Sequence, residues 1–180
     1  MVIFVNGSFG VGKTTVARLL AQRLPRSALF DPEPLGVVLM RFSAPWPSSA
    51  PSDDFQDLSV WRTLSIGSIR ALRRFRETVV VPMAFSNVAY LDQFLTSVRQ
   101  RDRETYHFCL TAPMEIVRAR LMARAGRRDP TVWQLRRGAE CCAAHQRPEF
   151  AERIATEGRS PQHVADEIID RVAGSRGAPS

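Results

Sequence analysis

Val2 to Val5 is an unbroken apolar run, the pattern of a short strand buried on both faces. From Thr14 to Leu24 the period changes. Val16, Leu19, Leu20 and Leu24 recur at helical spacing until Pro25 stops the segment. Ala28 to Phe30 reads as a second strand ending at Asp31, and Pro32 and Pro34 suit the first turn of a short helix reaching Phe42. Prolines and serines from Ser43 to Ser52 predict a connector. Beyond it Leu58, Trp61, Leu64, Ile69 and Leu72 predict one long helix over Phe55 to Phe75, with Gly67 its weak point.

Thr78 to Val81 is the most β-branched run and predicts a central strand closed by Pro82. Val88 to Val98 returns to a helix, Tyr106 to Leu110 to a strand, and Met114 to Ala123 to a helix behind Pro113. A basic, glycine-containing hinge follows at 124–130, then a helix over Val132 to Ala144, a fifth strand over Phe150 to Thr156 and a last helix over Pro161 to Val172. Strands alternating with helices predict an α/β fold, an open parallel five-stranded sheet with helices on both faces. We expect one domain over 1–173 with a lid near 124–130, and a disordered tail over 174–180.

Composition narrows the class. No apolar run approaches the roughly 20 residues of a membrane span, and the start of the chain has no basic leader, so a soluble cytoplasmic protein without stable membrane insertion is expected. Cys109, Cys141 and Cys142 have neither metal spacing nor an even count, which predicts reduced thiols. The net charge of +7 invites a nucleic-acid reading, but no helix-turn-helix, zinc or aromatic-basic signature accompanies it. The expected partner is a small molecule and not a nucleic acid. The sequence gives no oligomeric state.

The chemistry concentrates between the first strand and the first helix. Gly7, Ser8, Phe9, Gly10, Val11, Gly12, Lys13 and Thr14 match G-x-x-x-x-G-K-[ST], with Thr15 following. Glycines let amide N–H groups converge on an anion, and the helix start adds its positive dipole end. Lys13, the only lysine in the chain, would reach the β and γ phosphates of ATP, and the Thr14 hydroxyl would ligate Mg²⁺.

Other candidates gather around the motif. Asp31 and Glu33 follow the second strand, where a carboxylate can serve as base, hold substrate or simply cap a helix. Arg124, Arg127 and Arg128 flank the hinge and would close over a transferring phosphoryl group, whereas Arg118 and Arg120 read as a solvated basic face. Asp54, Asp57 and Trp61 are candidates to line a substrate pocket, with core packing the competing role for Trp61. His107, His145 and His163 read as structural. Pro82 and Met83 stand where many such proteins carry a magnesium-binding aspartate, which leaves the metal to Thr14, water and Asp31.

The chain resembles the tunicamycin-resistance proteins, small P-loop proteins related in architecture to shikimate, gluconate and nucleotide kinases. The resemblance rests on Ile3 to Thr14, Phe30-Asp31-Pro32-Glu33 with Gly36, Asp54-Phe55-Gln56-Asp57 with Trp61, Val81-Pro82-Met83, and His107-Phe108-Cys109-Leu110. It implies a kinase-like fold, ATP binding and protection against a nucleoside-type antibiotic. Either phosphorylation of the drug or its sequestration satisfies that implication.

Overall fold

The computed structural model describes residues 1–43, 54–125, 131–150 and 152–177. Five parallel strands, β1 (Val2–Gly7), β2 (Ser27–Leu29), β3 (Thr78–Met83), β4 (Thr105–Thr111) and β5 (Arg153–Ala155), form one sheet in the order β2-β3-β1-β4-β5. Seven α-helices are described. They are α1 (Lys13–Arg23), α2 (Glu33–Ser43), α3 (Ser59–Leu72), α4 (Val88–Arg99), α5 (Met114–Ala125), α6 (Val132–Ala144) and α7 (Pro161–Gly177).

The alternation within β1 divides the core in two. Val2 and Phe4 face a cluster with Trp61, Ile69, Val81, Phe85 and Phe94. Ile3 and Val5 face the other side, with Val16, Leu20, Phe108, Ile154, Val164 and Ile168. A strand covered by helices on both faces must be apolar at every position, which is the reason the run at Val2 to Val5 is unbroken. It also makes β1 the rigid stem that carries the segment following Gly7.

The main departures from the sequence reading each have a local reason. The long helix expected over Phe55 to Phe75 is divided. Asp54 caps a 3-10 turn at Phe55–Asp57 by accepting from the Gln56 amide at 3.0 Å, extended Leu58 interrupts, and α3 then ends at Leu72. Gly67 causes no break.

Strand β3 continues through Pro82 and Met83. The Val79 amide donates to Met1 on the β1 side, so by alternation the Pro82 nitrogen faces β2. There β2 pairs with Thr78 to Val80, and the last bond, from the Phe30 amide to the Val80 carbonyl, comes one step before Pro82 would have to donate. The fifth strand starts late, because Pro148–Phe150 is a 3-10 turn and Glu152 has φ 58°. At the carboxyl end α7 runs to Gly177, so residues 174–177, expected in a disordered tail, are helical. Among the described residues no helix is long and apolar enough to cross a membrane.

Candidate phosphate-binding site

The segment between β1 and α1 is shaped by its glycines. Gly10 has φ 80°, and a Cβ there would lie 3.0 Å from both the Val117 carbonyl and Leu121 Cγ, so a side chain would hold a strained backbone and press its neighbours apart by a few tenths of an ångström. Gly12 has φ 108° and occupies the N-cap of α1, where it offers no side-chain cap. The first turn of α1 also contains no acidic residue. Its amides and dipole end are therefore open to an external anion instead of being satisfied internally.

Buried side chains hold this loop from behind. Asn6 Oδ1 accepts from the Gly7 amide at 3.0 Å and the Phe85 amide at 2.9 Å, while Asn6 Nδ2 donates to the Phe85 carbonyl at 3.3 Å. His145 Nε2 lies 2.8 Å from the same carbonyl. Burial keeps the His145 imidazole below its ordinary pKa, with the Phe85 carbonyl acting the other way. Arg120 braces the loop apex by donating to the Val11 carbonyl at 3.1 Å, Thr156 Oγ1 at 2.9 Å and the Thr156 carbonyl at 2.9 Å.

A cleft of about 750 Å³ opens over the loop. Phe9, Gly10, Gly12, Lys13, Thr14 and Thr15 form one wall, and Asp31, Glu33, Arg120, Thr131 and Gln134 contribute to the rest. The Lys13 ammonium sits 3.6 Å from Glu33 Oε1 and 4.7 Å from the centre of the Phe9 ring. Phe9 packs edge-on against Trp133 of α6, with ring centres 5.3 Å apart. Asp31 Oδ1 caps α2 by accepting from the Glu33 amide at 3.0 Å, so one carboxylate both caps the helix and faces the cleft.

The cleft thus gathers the motif residues with Asp31 and Glu33. Of the expected substrate contacts, Trp61 is 1% exposed, donates its indole N–H to the Pro32 carbonyl at 2.9 Å and packs on Phe55, Phe85 and Phe94. The core has claimed it. Asp54 caps its 3-10 turn and pairs with Arg137 at 2.6 Å, while burial raises its carboxyl above the ordinary value despite the Gln56 amide and Arg137. Asp57 accepts from the Tyr90 hydroxyl at 3.0 Å. None of the three lines the cleft.

Arg124 falls in the last turn of α5, but its side chain, together with Arg127 and Arg128, lies outside the described residues. Arg118 is exposed as expected, but Arg120 is a half-buried brace and not part of a solvated face. Asn6, Arg120, Thr131, Trp133 and Gln134 were missed by sequence reasoning. The available signals were a polar residue ending an apolar strand at Asn6, and the T-x-x-Q capping box from Thr131 to Gln134. Burial raises the Cys109 thiol to about 12 and the Cys141 thiol to about 11, which leaves both inert. The described residues contain no group of three His, Cys, Asp or Glu side chains that could hold a metal.

Sheet order, loop and cleft define a P-loop protein of kinase-like architecture, and the chain belongs to the family described as AAA domain, whose model matches residues 2–148. In particular it is similar to the tunicamycin resistance protein of Deinococcus radiodurans, at 26% identity and a TM-score of 0.74, covering 96% of this chain and 95% of that one. The same fold occurs in a gluconokinase from Sinorhizobium meliloti 1021, at 19% identity and TM-score 0.65, covering 95% of this chain and 90% of that one. It recurs in the Acinetobacter baumannii shikimate kinase in complex with shikimate, at 18% identity and TM-score 0.65, covering 98% and 95%. No curated protein matches the chain in sequence.

Proposed function

We propose that the protein is a small-molecule kinase that moves the γ-phosphoryl group of ATP to a hydroxyl of its acceptor. The observation that carries the reading is one cleft holding an uncapped helix start, a lysine and two carboxylates. Bound Mg·ATP would supply the activated phosphoryl group and the charge-neutralising metal. The residues fit both. The open amides suit phosphate oxygens, while the Thr14 hydroxyl and the Asp31 carboxylate are hard oxygen donors suited to Mg²⁺.

Gly7 to Thr15 then form the nucleotide contact, with Lys13 and the loop amides stabilising charge on the transferred group. Asp31 takes the proton of the acceptor hydroxyl, and Glu33 contacts the acceptor beside it. Arg124, Arg127 and Arg128 close over the phosphoryl group as a lid, a role that rests on their place in the sequence. The similarity to a tunicamycin resistance protein supports a nucleoside-type antibiotic as acceptor.

One observation favours a second reading, ATP-dependent sequestration of the drug without phosphotransfer. Strand β3 ends in Pro82-Met83 and continues into Ala84 and Phe85, so no acid stands there to complete a metal site. Mass spectrometry of tunicamycin and simple uridine nucleosides after incubation with Mg·ATP separates the two. A mass gain of one phosphoryl group supports the kinase, and stoichiometric binding without product supports sequestration. A third reading, a nucleic-acid-dependent ATPase, requires hydrolysis stimulated by DNA or RNA at low salt.

A further inference from the structure

The cleft holds its lysine between two partners. Lys13 Nζ lies 3.6 Å from Glu33 Oε1, and its side chain is 7% exposed. Glu33 Oε1 is itself buried without a hydrogen bond, so its main electrostatic relation is to this ammonium. Glu33 is the more open of the two, its side chain 31% exposed, but both are positioned by their neighbours. Glu33 begins α2, where its amide is tied to Asp31, and Phe9, whose ring faces the ammonium, is wedged against Trp133.

A polyphosphate seated on the open amides of α1 needs this same ammonium. With a phosphate oxygen at hydrogen-bond distance from Lys13, the Glu33 carboxylate is left within a few ångströms of a multiply charged anion. In a half-enclosed cleft, like charges that close repel strongly. We propose that Glu33 is an internal competitor of the nucleotide: it neutralises Lys13 while the cleft is empty and is displaced when phosphate arrives. Without nucleotide the Lys13 charge is therefore compensated within the cleft, and the ammonium and the Glu33 carboxylate become available together when nucleotide binds. This rests on the reading of the loop as a nucleotide site.

The test is calorimetric titration of the full chain with ADP in EDTA, where no magnesium-bridged contact can contribute. Glu33→Gln keeps the side chain's shape and removes its charge, and should bind ADP about tenfold more tightly than the wild type. Glu33→Asp keeps the charge on a shorter arm and should fall between them. Thermal melts supply a second readout of opposite sign. Without ligand the Gln variant should melt lower, since Lys13 loses its counter-ion, and with saturating ADP its gain in Tm should exceed that of the wild type. Equal or weaker ADP binding by Glu33→Gln would overturn the proposal while leaving the nucleotide site intact. Absence of ADP and ATP binding in both wild type and variant would overturn the nucleotide reading as well.

Discussion

The two walls of the cleft are made of different material. On the β1 and α1 side the groups facing inward are main-chain amides, shaped by Gly10 and Gly12 and held by Asn6 and Arg120. On the α2 and α6 side they are side chains, Asp31, Glu33, Thr131 and Gln134, each placed by a helix start. A wall of amides fits one ligand class, because phosphate oxygens satisfy it whatever the rest of the ligand is. The side-chain wall can change its preference by substitution alone. In the proposed kinase the fold would therefore fix the donor end and leave the acceptor end to be specified by a few residues.

Lys13→Ala should have the largest effect of any single change at the cleft. It removes the one ammonium of the donor wall and should lower ATP affinity by roughly a hundredfold or more, with the circular dichroism spectrum unchanged. Trp61→Ala tests whether the core or the acceptor wall owns that indole. It should cost about 3–5 kcal/mol in urea melts through the cavity left among Phe55, Phe85 and Phe94. A stable variant with altered acceptor binding would instead move Trp61 to the acceptor wall.

Gly10→Ala should destabilise the fold by about 2 kcal/mol, since its φ is unfavourable and the added carbon meets Val117 and Leu121. Nucleotide affinity should fall with it. Arg120→Met keeps the aliphatic stem and removes three hydrogen bonds. It should weaken nucleotide binding roughly tenfold by loosening Val11, with a smaller change in melting temperature.

The donor wall was legible because main-chain shape leaves a mark in sequence: glycine stands where φ must be positive, at Gly10 and Gly12. The acceptor wall was half legible. Asp31 and Glu33, expected near the loop because they follow directly on a strand, do line the cleft, whereas Asp54, Asp57 and Trp61, grouped by proximity of residue types, lie outside it. Apolar spacing cannot tell an indole that faces a ligand from one that packs on Phe85 and Phe94. Arg120 was misplaced for a related reason. An arginine on a half-exposed helix face looks solvated until the distant Val11 and Thr156 are brought beneath it, and no local pattern records that approach.

Outside the cleft a smaller effect is expected from His107, which is 8% exposed, with its Nε2 buried and unpartnered. Burial lowers its pKa from 6.5 to about 4, with Arg99 and His145 adding to the shift. The folded state thus binds fewer protons than the unfolded state between those values. The contribution of His107 to stability is fully present above the unfolded value of 6.5 and is lost as pH falls towards 4, by up to about 1.4 kcal/mol per unit. His107→Leu should flatten this slope in urea melts between pH 6.5 and 4, leaving the part due to His145. An unchanged slope would show that His107 is protonated in the folded protein.

In the proposed function, main-chain amides at the start of α1 hold a nucleotide's phosphates. Titration of the full chain with Mg·ATP, followed by heat, measures this directly. One saturable site per chain is predicted, lost in Lys13→Ala. An absence of heat with every nucleoside triphosphate tried, or undiminished binding in that variant, would contradict it.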